Sequence, residues 1–448
     1  MRLPISKLLS FLCLSLAWTT AQGQPAAVSA GCKEAVKEEI KVEISELVLQ
    51  CLSSSLKSLQ AIETLAAVGP ALEKMDIPEP PFLPSPEEME AALEAAGMPV
   101  FPQPDPRAAD VQGAAFAYTK VKKIDRSFKV DRSDKLNIEN QFGRVDVQTW
   151  NKNEISVEVT VISRAATEAK AQEILDKIQI RIQEDKANNL VSFVTEREPM
   201  QIKSSSEKAF EINYVVKMPK ANPLRISNKY GAVQVPDFDG PTELEVQYGK
   251  LTAGSLNNVK NRLYVTYSGS QCQVGFVKGG DLLFKYSNLH LLGADDIRTT
   301  TAYSNIIIDK VDLLTMESRY DSKFHIGSAG QISGTGSYSG IKIGSLRESA
   351  SLIVKYCSGF EINNVSSNFR KLDLTGGYTG MALSFADNSA FNFEVDTQYG
   401  SFKLDQDLAN FSLKEVRNTS SSYKGKYGKA TPKGTVNVTS KYGSIAFQ

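Results

Sequence analysis

The segment Asn228-Lys-Tyr230-Gly-Ala-Val-Gln-Val opens a motif that returns at regular spacing along the second half of the chain. Close copies follow in Val246-Gln-Tyr248-Gly-Lys-Leu-Thr-Ala, Phe284-Lys-Tyr286-Ser-Asn-Leu-His-Leu and Thr301-Ala-Tyr303-Ser-Asn-Ile-Ile-Ile. From Tyr230 to Tyr356, successive tyrosines of the motif are 17 to 19 residues apart. A near-constant period below ~20 residues, held over ten or more units, is typical of a solenoid.

The phase of the apolar residues indicates which solenoid this is. In each copy they alternate up to the tyrosine and resume three positions later, as Val395, Tyr399 and Phe402 illustrate. Alternation is typical of strands, and a Gly or Ser after the tyrosine fits a bend that a bulky side chain would obstruct. We therefore predict a mainly β fold whose residues 221–448 form a single-stranded parallel β-helix of ~11 or 12 coils, ~50–60 Å long.

Residues at one coil position become vertical neighbours in such a fold, so the tyrosines should form a stacked file. Because they share the phase of Leu and Val, we expect them to point inward or to edge the core; the alternative is an exposed aromatic track for sugar rings. The predicted file is Phe142, Tyr230, Tyr248, Tyr267, Tyr286, Tyr303, Tyr320, Tyr338, Tyr356, Tyr378, Tyr399 and Tyr442.

The first half of the chain divides by composition into four parts. Residues 1–23 combine Arg2 and Lys7 with a short apolar run, which is the pattern of a secretory signal peptide. An amphipathic helical segment, 31–68, and a Pro-rich linker, 69–117, follow. Residues 118–220 predict a small α+β unit at the start of the repeat domain, with a helix over Thr167–Ile178.

The signal-peptide pattern predicts an exported protein, in the periplasm, at the cell surface or outside the cell. The 448 residues are 42% hydrophobic with 51 basic and 51 acidic side chains, and no segment after the signal peptide is long enough to span a membrane. Cys272 and Cys357 lie on coils too far apart to pair, so we expect free or buried thiols.

A known family is similar in the order of these features. Asp134-Lys-Leu-Asn-Ile-Glu-Asn140-Gln-Phe142-Gly-Arg-Val-Asp-Val, the helical segment from Thr167 and the Tyr-Gly and Tyr-Ser repeats resemble the putative-adhesin β-strand-repeat family of Bacteroidota-type bacteria. The likeness covers about 330 residues and extends to residue 448. The resemblance implies an exported, adhesin-like β-helix and carries over no catalytic residue.

Few residues offer catalytic or metal chemistry. The sequence has two histidines, His290 and His325, and lacks a phosphate-binding loop, a Cys-x-x-Cys pair and a calcium-binding repeat. We predict no catalytic, cofactor or metal site. A carbohydrate-active β-helix enzyme would need close carboxylates, for which the candidates are Asp295, Asp296, Asp309 and Asp312. We favour solvated turns for these residues, because Asp commonly fills turn positions without any catalytic role.

Charge is distributed unevenly although it sums to zero. Residues 33–96 hold 13 acidic and five basic side chains, while 416–448 hold six basic and no acidic ones. The basic set is Arg417, Lys424, Lys426, Lys429, Lys433 and Lys441. One hypothesis is a patch for an anionic ligand or for the acidic helix of another copy. We favour a solvated terminal coil whose lysines discourage edge pairing.

These features together favour a non-enzymatic, adhesin-like β-solenoid that acts as a binding or cell-envelope scaffold protein. Its expected partners are cell-envelope glycans or proteins, with self-association through the N-terminal helix as a further option and no role in binding nucleic acid. The alternative function is a polysaccharide hydrolase or lyase on the same fold.

Overall fold

The structure, a computed structural model, describes residues 117–200 and 209–448. These belong to the second of two compact units, Arg107–Gln448. The predicted signal peptide, amphipathic helical segment and Pro-rich linker lie outside the described residues, except for the linker's last residue, Ala117.

The described part opens with seven strands and one helix. Phe142 takes a φ of 61° and turns the chain between the second strand and the third. The elements are β1 (Tyr118–Lys129), β2 (Lys135–Gln141), β3 (Val145–Trp150), β4 (Glu154–Ala165), α1 (Glu168–Asp176), β5 (Ile178–Asp185), β6 (Leu190–Arg197) and β7 (Phe210–Pro219).

Helix α1 covers this end of the molecule. The side chain of Thr167 caps it by accepting a hydrogen bond from the Lys170 amide at 3.3 Å, and Ala171, Ile174 and Leu175 form its buried face against β1 and β4. Strands β1, β4 and β7 pair antiparallel, whereas β2 and β3 pair parallel with the repeats that follow and form the first layer of the solenoid.

The next strands wind into a β-solenoid of about nine turns. Each pairs in parallel with its counterpart in the following turn, for example Leu244 opposite Leu263 and Leu263 opposite Leu282. These strands are β8 (Leu224–Lys229), β9 (Val233–Val235), β10 (Thr242–Gln247), β11 (Leu251–Leu256), β12 (Asn261–Thr266), β13 (Gln271–Lys285), β14 (Asn288–Ala302), β15 (Asn305–Arg319), β16 (Lys323–Ser337), β17 (Gly340–Lys355), β18 (Gly359–Val365), β19 (Lys371–Gly377) and β20 (Met381–Phe385).

The C-terminal strands do not follow chain order. They are β21 (Phe391–Gln398), β22 (Phe402–Lys403), β23 (Ala409–Val416), β24 (Ser420–Tyr427), β25 (Gly434–Lys441) and β26 (Ile445–Phe447), with a 3-10 helix at Gln406–Leu408. Strand β25 lies between β19 and β21 and pairs with both, and β26 lies between β20 and β22 in the same way. The last residues of the chain therefore form the second-to-last layer.

The core consists of files of apolar side chains that point inward from every layer. Along β15 the buried positions include Ile306, Ile308, Val311 and Leu314, each fully or almost fully withdrawn from solvent. The sequence predicted ~11 or 12 coils. The structure has about nine consecutive turns, and three end layers built by β2–β3, β25–β26 and β21–β22 complete the stack.

Candidate binding surface

One corner of the solenoid is built by the same residue type in every layer. The twelve members of the aromatic file, Phe142 and the eleven tyrosines named above, all have positive φ values between 51° and 61°. This left-handed backbone is rare for a bulky residue. Each amide in the file still donates to a neighbouring layer, as Tyr286 does to the Ala302 carbonyl oxygen at 3.0 Å.

The rings of the aromatic file stack face to face without a gap. Successive ring centroids are 4.6–5.1 Å apart and the planes are inclined by 3–18°. Because of the C-terminal inversion, Tyr378 stacks on Tyr442 and Tyr442 stacks on Tyr399. Such contacts stabilise by about 0.5–1.5 kcal/mol per pair beyond burial.

The rings edge the core and do not enter it. Their exposed fraction is 37% at Tyr286 and 53% at Tyr399. Since ring faces are covered by the neighbouring rings, the file presents ring edges and hydroxyl groups to solvent, and sugar rings cannot stack along it. Burial, followed by the neighbouring phenols, raises the pKa of Tyr248 and Tyr286, so these hydroxyls stay protonated near neutral pH.

A buried polar ladder follows the aromatic file on its inner side. In the middle layers the residue after the tyrosine accepts a hydrogen bond from the backbone amide of the same position in the layer before, at 2.8–3.2 Å: Ser268 donates to Ser287, Ser287 to Ser304, Ser304 to Asp321 and Asp321 to Ser339. In the first three layers and the last two, glycine stands at this position, and a Cβ at Gly249 would lie 1.9 Å from the Gly231 carbonyl oxygen.

Asp321 is the one carboxylate in this ladder and is fully buried. It accepts hydrogen bonds from the Ser304 amide at 2.8 Å, the Thr301 hydroxyl at 2.5 Å and the Ser318 hydroxyl at 2.6 Å. No ion pair of the described residues includes it. Burial raises its pKa above the ordinary value of 3.8, which the three hydrogen bonds only partly offset.

This environment gives a pH prediction. Because folding raises the pKa of Asp321 above 3.8, the folded state keeps a proton there at pH values where the unfolded chain has lost it. The free energy of unfolding therefore falls as pH rises from about 3.8 and is constant once Asp321 is ionised in both states. Asp321→Asn keeps the shape and cannot ionise. We expect its urea midpoint, relative to that of the wild type, to rise as pH rises above about 4; Asp296→Asn, at an exposed carboxylate that forms no ion pair among the described residues, is the control. A constant difference at every pH would contradict the assignment.

The four carboxylates named as catalytic candidates lie exposed on the outer wall. Asp309 contacts His290 at 3.0 Å and Asp312 contacts Arg347 at 2.5 Å. The register of β14 on β15 places Asp295 and Asp312 in adjacent layers at the same coil position. Neither lines either of the two depressions described below, and no three metal-binding side chains converge in the part of the chain that the structure describes.

The remaining reactive residues are placed as structural groups. His325 is partly buried, and this burial, with Lys323 and Lys342 nearby, lowers its pKa. Cys272 and Cys357 are both buried and unpaired, which confirms the prediction of free thiols. Burial also raises the pKa of the Cys357 thiol, which opposes formation of a nucleophilic thiolate.

The six basic residues near the C-terminus do not share one set of contacts. Arg417 pairs with Glu415 at 3.2 Å and Lys424 with Glu394 at 2.7 Å, while Lys433 donates to the Asn368 side chain at 2.9 Å. Lys426 lies in β24 and Lys429 is exposed beyond it. Lys441 differs from all of these, since it precedes Tyr442 in the aromatic file and lies 5.6 Å from that ring's centroid.

Depressions on the described surface are shallow and open to solvent. One, of about 390 Å³, lies where β8, β10 and β12 begin, and another, of about 260 Å³, lies between β21 and the turn joining β23 to β24. No helix within the described residues has the length and apolar character that crossing a membrane requires.

The strand pairing defines a β-solenoid protein. Several solved structures that are similar to this chain are described as adhesins, as is the family that the sequence resembles. No protein-family model and no curated protein matches the chain. A "putative cell adhesion protein" from Clostridium sporogenes shares 10% identity over 73% of this chain and 99% of its own, with a TM-score of 0.17. A "putative adhesin" from Bacteroides fragilis shares 11% identity over 73% of this chain and 97% of its own (TM-score 0.24). A "putative lipid binding protein" from Parabacteroides distasonis shares 10% over 73% and 96% (TM-score 0.24).

Proposed function

We propose that this chain is an exported, non-enzymatic binding protein of the cell envelope, with an adhesin-like role carried by the long wall of the solenoid. The observation that carries the proposal is the aromatic corner, where twelve layers present the same backbone and the same ring edge at intervals of about 5 Å. Repetition of one surface over this length suits an extended partner rather than a small molecule. The names of the similar structures are consistent with binding.

Rigidity supports the same proposal. Strands β13 to β17 pair in register over most of their 15 or 16 residues, so the groups on the wall are held at fixed spacing by backbone hydrogen bonds. A surface ordered before binding loses less conformational entropy when the partner binds.

The full chain should be retained on purified cell-envelope material and should release no reducing sugar from it. Retention is measured by sedimentation with envelopes, and release by a reducing-end assay over the same incubation. Sugar release, or a protein that stays entirely in the supernatant, would overturn the proposal.

The adjacent carboxylates Asp295 and Asp312 are the specific observation behind the second candidate, a polysaccharide hydrolase or lyase. An Asp295→Asn/Asp312→Asn variant separates the two functions. A binding protein keeps its retention on envelopes and shows no sugar release before or after substitution, whereas an enzyme would lose an activity that the wild type has.

A further inference from the structure

The corner that carries the aromatic file also segregates charge. We define the corner strip as the residues that run, in each layer, from the one before the file member to the first residue of the next strand. Its eight basic residues are Arg144, Lys229, Lys250, Lys285, Arg319, Lys323, Lys355 and Lys441. Its one acidic residue, Asp321, is buried and faces the core. A chain with equal numbers of acids and bases therefore carries a positive line along one edge.

Four of these cations recur with a fixed period. Lys285, Arg319, Lys355 and Lys441 each directly precede the tyrosine of their layer. Ala302, Ser337 and Gly377 occupy the same position in the three layers between them. Cation and small residue thus alternate through seven consecutive layers. Because layers are ~4.8 Å apart, one positive charge lies about every 10 Å along the axis, and a small residue separates each charge from the next.

Most of these cations are available to a partner. No ion pair within the described residues includes Lys285, Lys355 or Lys441, whereas Arg319 contacts Glu317 at 2.6 Å. Lys441 lies above the Tyr442 ring. Beside these cations, one tyrosine hydroxyl in every layer can donate and accept hydrogen bonds. The four cations and the neighbouring tyrosine hydroxyls together form a surface that we call the track. It carries one positive charge in every second layer and one hydroxyl group in every layer.

We propose that this track binds a linear acidic polysaccharide with one anionic group per disaccharide, laid along the solenoid axis. The proposal rests on the function proposed above and specifies its ligand and its site. An extended disaccharide has the length of about two layers, roughly 10 Å, so successive carboxylates or sulfates meet successive cations while the sugar hydroxyls meet the phenols. Duplex nucleic acid, with a charge per ~1.7 Å of axis, does not match this spacing.

The test compares two variants of equal charge in the full chain. The track variant replaces Lys285, Arg319, Lys355 and Lys441 with Gln. The matched control replaces Lys122, Lys260, Lys278 and Lys310 with Gln, which are exposed, form no side-chain ion pair within the described residues and lie outside the corner strip. The probes are hyaluronate oligosaccharides of four to ten sugars, neutral chitin oligosaccharides and a duplex DNA oligonucleotide, each titrated by calorimetry at two salt concentrations.

We expect hyaluronate binding that tightens from four to eight sugars and weakens with salt, a loss of roughly 10-fold or more in the track variant, and a change within about 3-fold in the control. Equal losses in both variants, binding of DNA in place of hyaluronate, or no binding of the acidic glycan would each overturn the inference. Retention of all three proteins on envelopes separates the outcomes: if retention is equal, the envelope-binding function stands and the ligand assignment fails; if the wild type is not retained, the function itself fails.

Discussion

Deletion of residues 434–448 should destabilise the C-terminal end of the solenoid far more than loss of a terminal segment normally does. In a stack that followed chain order, the last strand would be an end layer with one neighbour. Here β25 has paired residues on both sides, and β26 likewise. The deletion removes four buried side chains, Val436, Val438, Ile445 and Phe447. Burial of each stabilises the folded state by about 1.5–3 kcal/mol.

The deletion also breaks the aromatic file, because Tyr442 is the ring between Tyr378 and Tyr399. Strands β21 to β24 are then left without the layer that joins them to β19. We expect residues 386–432 to become sensitive to protease and fast in hydrogen exchange, while β8 to β18 keep their protection, because each layer of a solenoid depends mainly on its neighbours.

A synthetic peptide of residues 430–448 should restore protection to the truncated protein in trans, since it can pair with the open edges of β19 and β21. A peptide of the same composition in scrambled order is the control. Val438→Asp in the full chain provides a second variant, which puts an unpaired charge in the same layer and should expose the same region. Unchanged proteolysis after truncation, with β21 found paired directly to β19, would show that the inserted layer is dispensable.

The sequence predicted the solenoid because period and phase are local properties that it displays directly. Eleven tyrosines in near-constant register could lie in one file only if the layers were parallel. The sequence also predicted helix α1, from the capping residue Thr167 and the spacing of the apolar residues that follow it.

The order of the last layers was not accessible in this way. Nothing in Tyr399-Gly-Ser-Phe402 or Tyr442-Gly-Ser-Ile445 states which of the two layers lies next to Tyr378, because both carry the same motif. The sequence separations between successive tyrosines are less regular near the C-terminus, which indicates only that the chain leaves the stack and returns to it. Pairing partners for identical motifs are decided by long-range contacts, such as Phe447 against Phe385 and Phe402.

The shared phase with Leu and Val left two orientations open for the tyrosines, inward or at the edge of the core, and the rings lie at the edge. The left-handed backbone at each tyrosine rotates the ring out of that phase to the edge of the core. The alternating Lys and Arg before the tyrosines were overlooked, although Lys285, Arg319 and Lys355 stand in every second repeat of the sequence itself.

Replacement of Tyr286 should reverse the usual order of alanine and glycine. At an extended position glycine is less stable than alanine by about 0.5–1 kcal/mol. Tyr286 has a φ of 51°, which costs an L-residue about 1–2 kcal/mol and costs glycine almost nothing. Its ring also stacks on Tyr267 at 5.0 Å and on Tyr303 at 4.9 Å, and both substitutions lose these contacts. Alanine therefore keeps the free-energy cost of the left-handed backbone and loses the ring contacts that offset this cost in the wild type.

We expect the urea midpoints to fall in the order wild type and Tyr286→Phe together, then Tyr286→Gly, then Tyr286→Ala. Phenylalanine keeps the stack, as Phe142 does at the start of the file. Lys285, the exposed neighbour within β13, is the matched position: Lys285→Ala should be at least as stable as Lys285→Gly, which is the ordinary order for a strand. If alanine were more stable than glycine at Tyr286 as well, the left-handed corner that aligns the rings and their hydroxyls would not exist in solution, and the track that depends on it would lose its geometry.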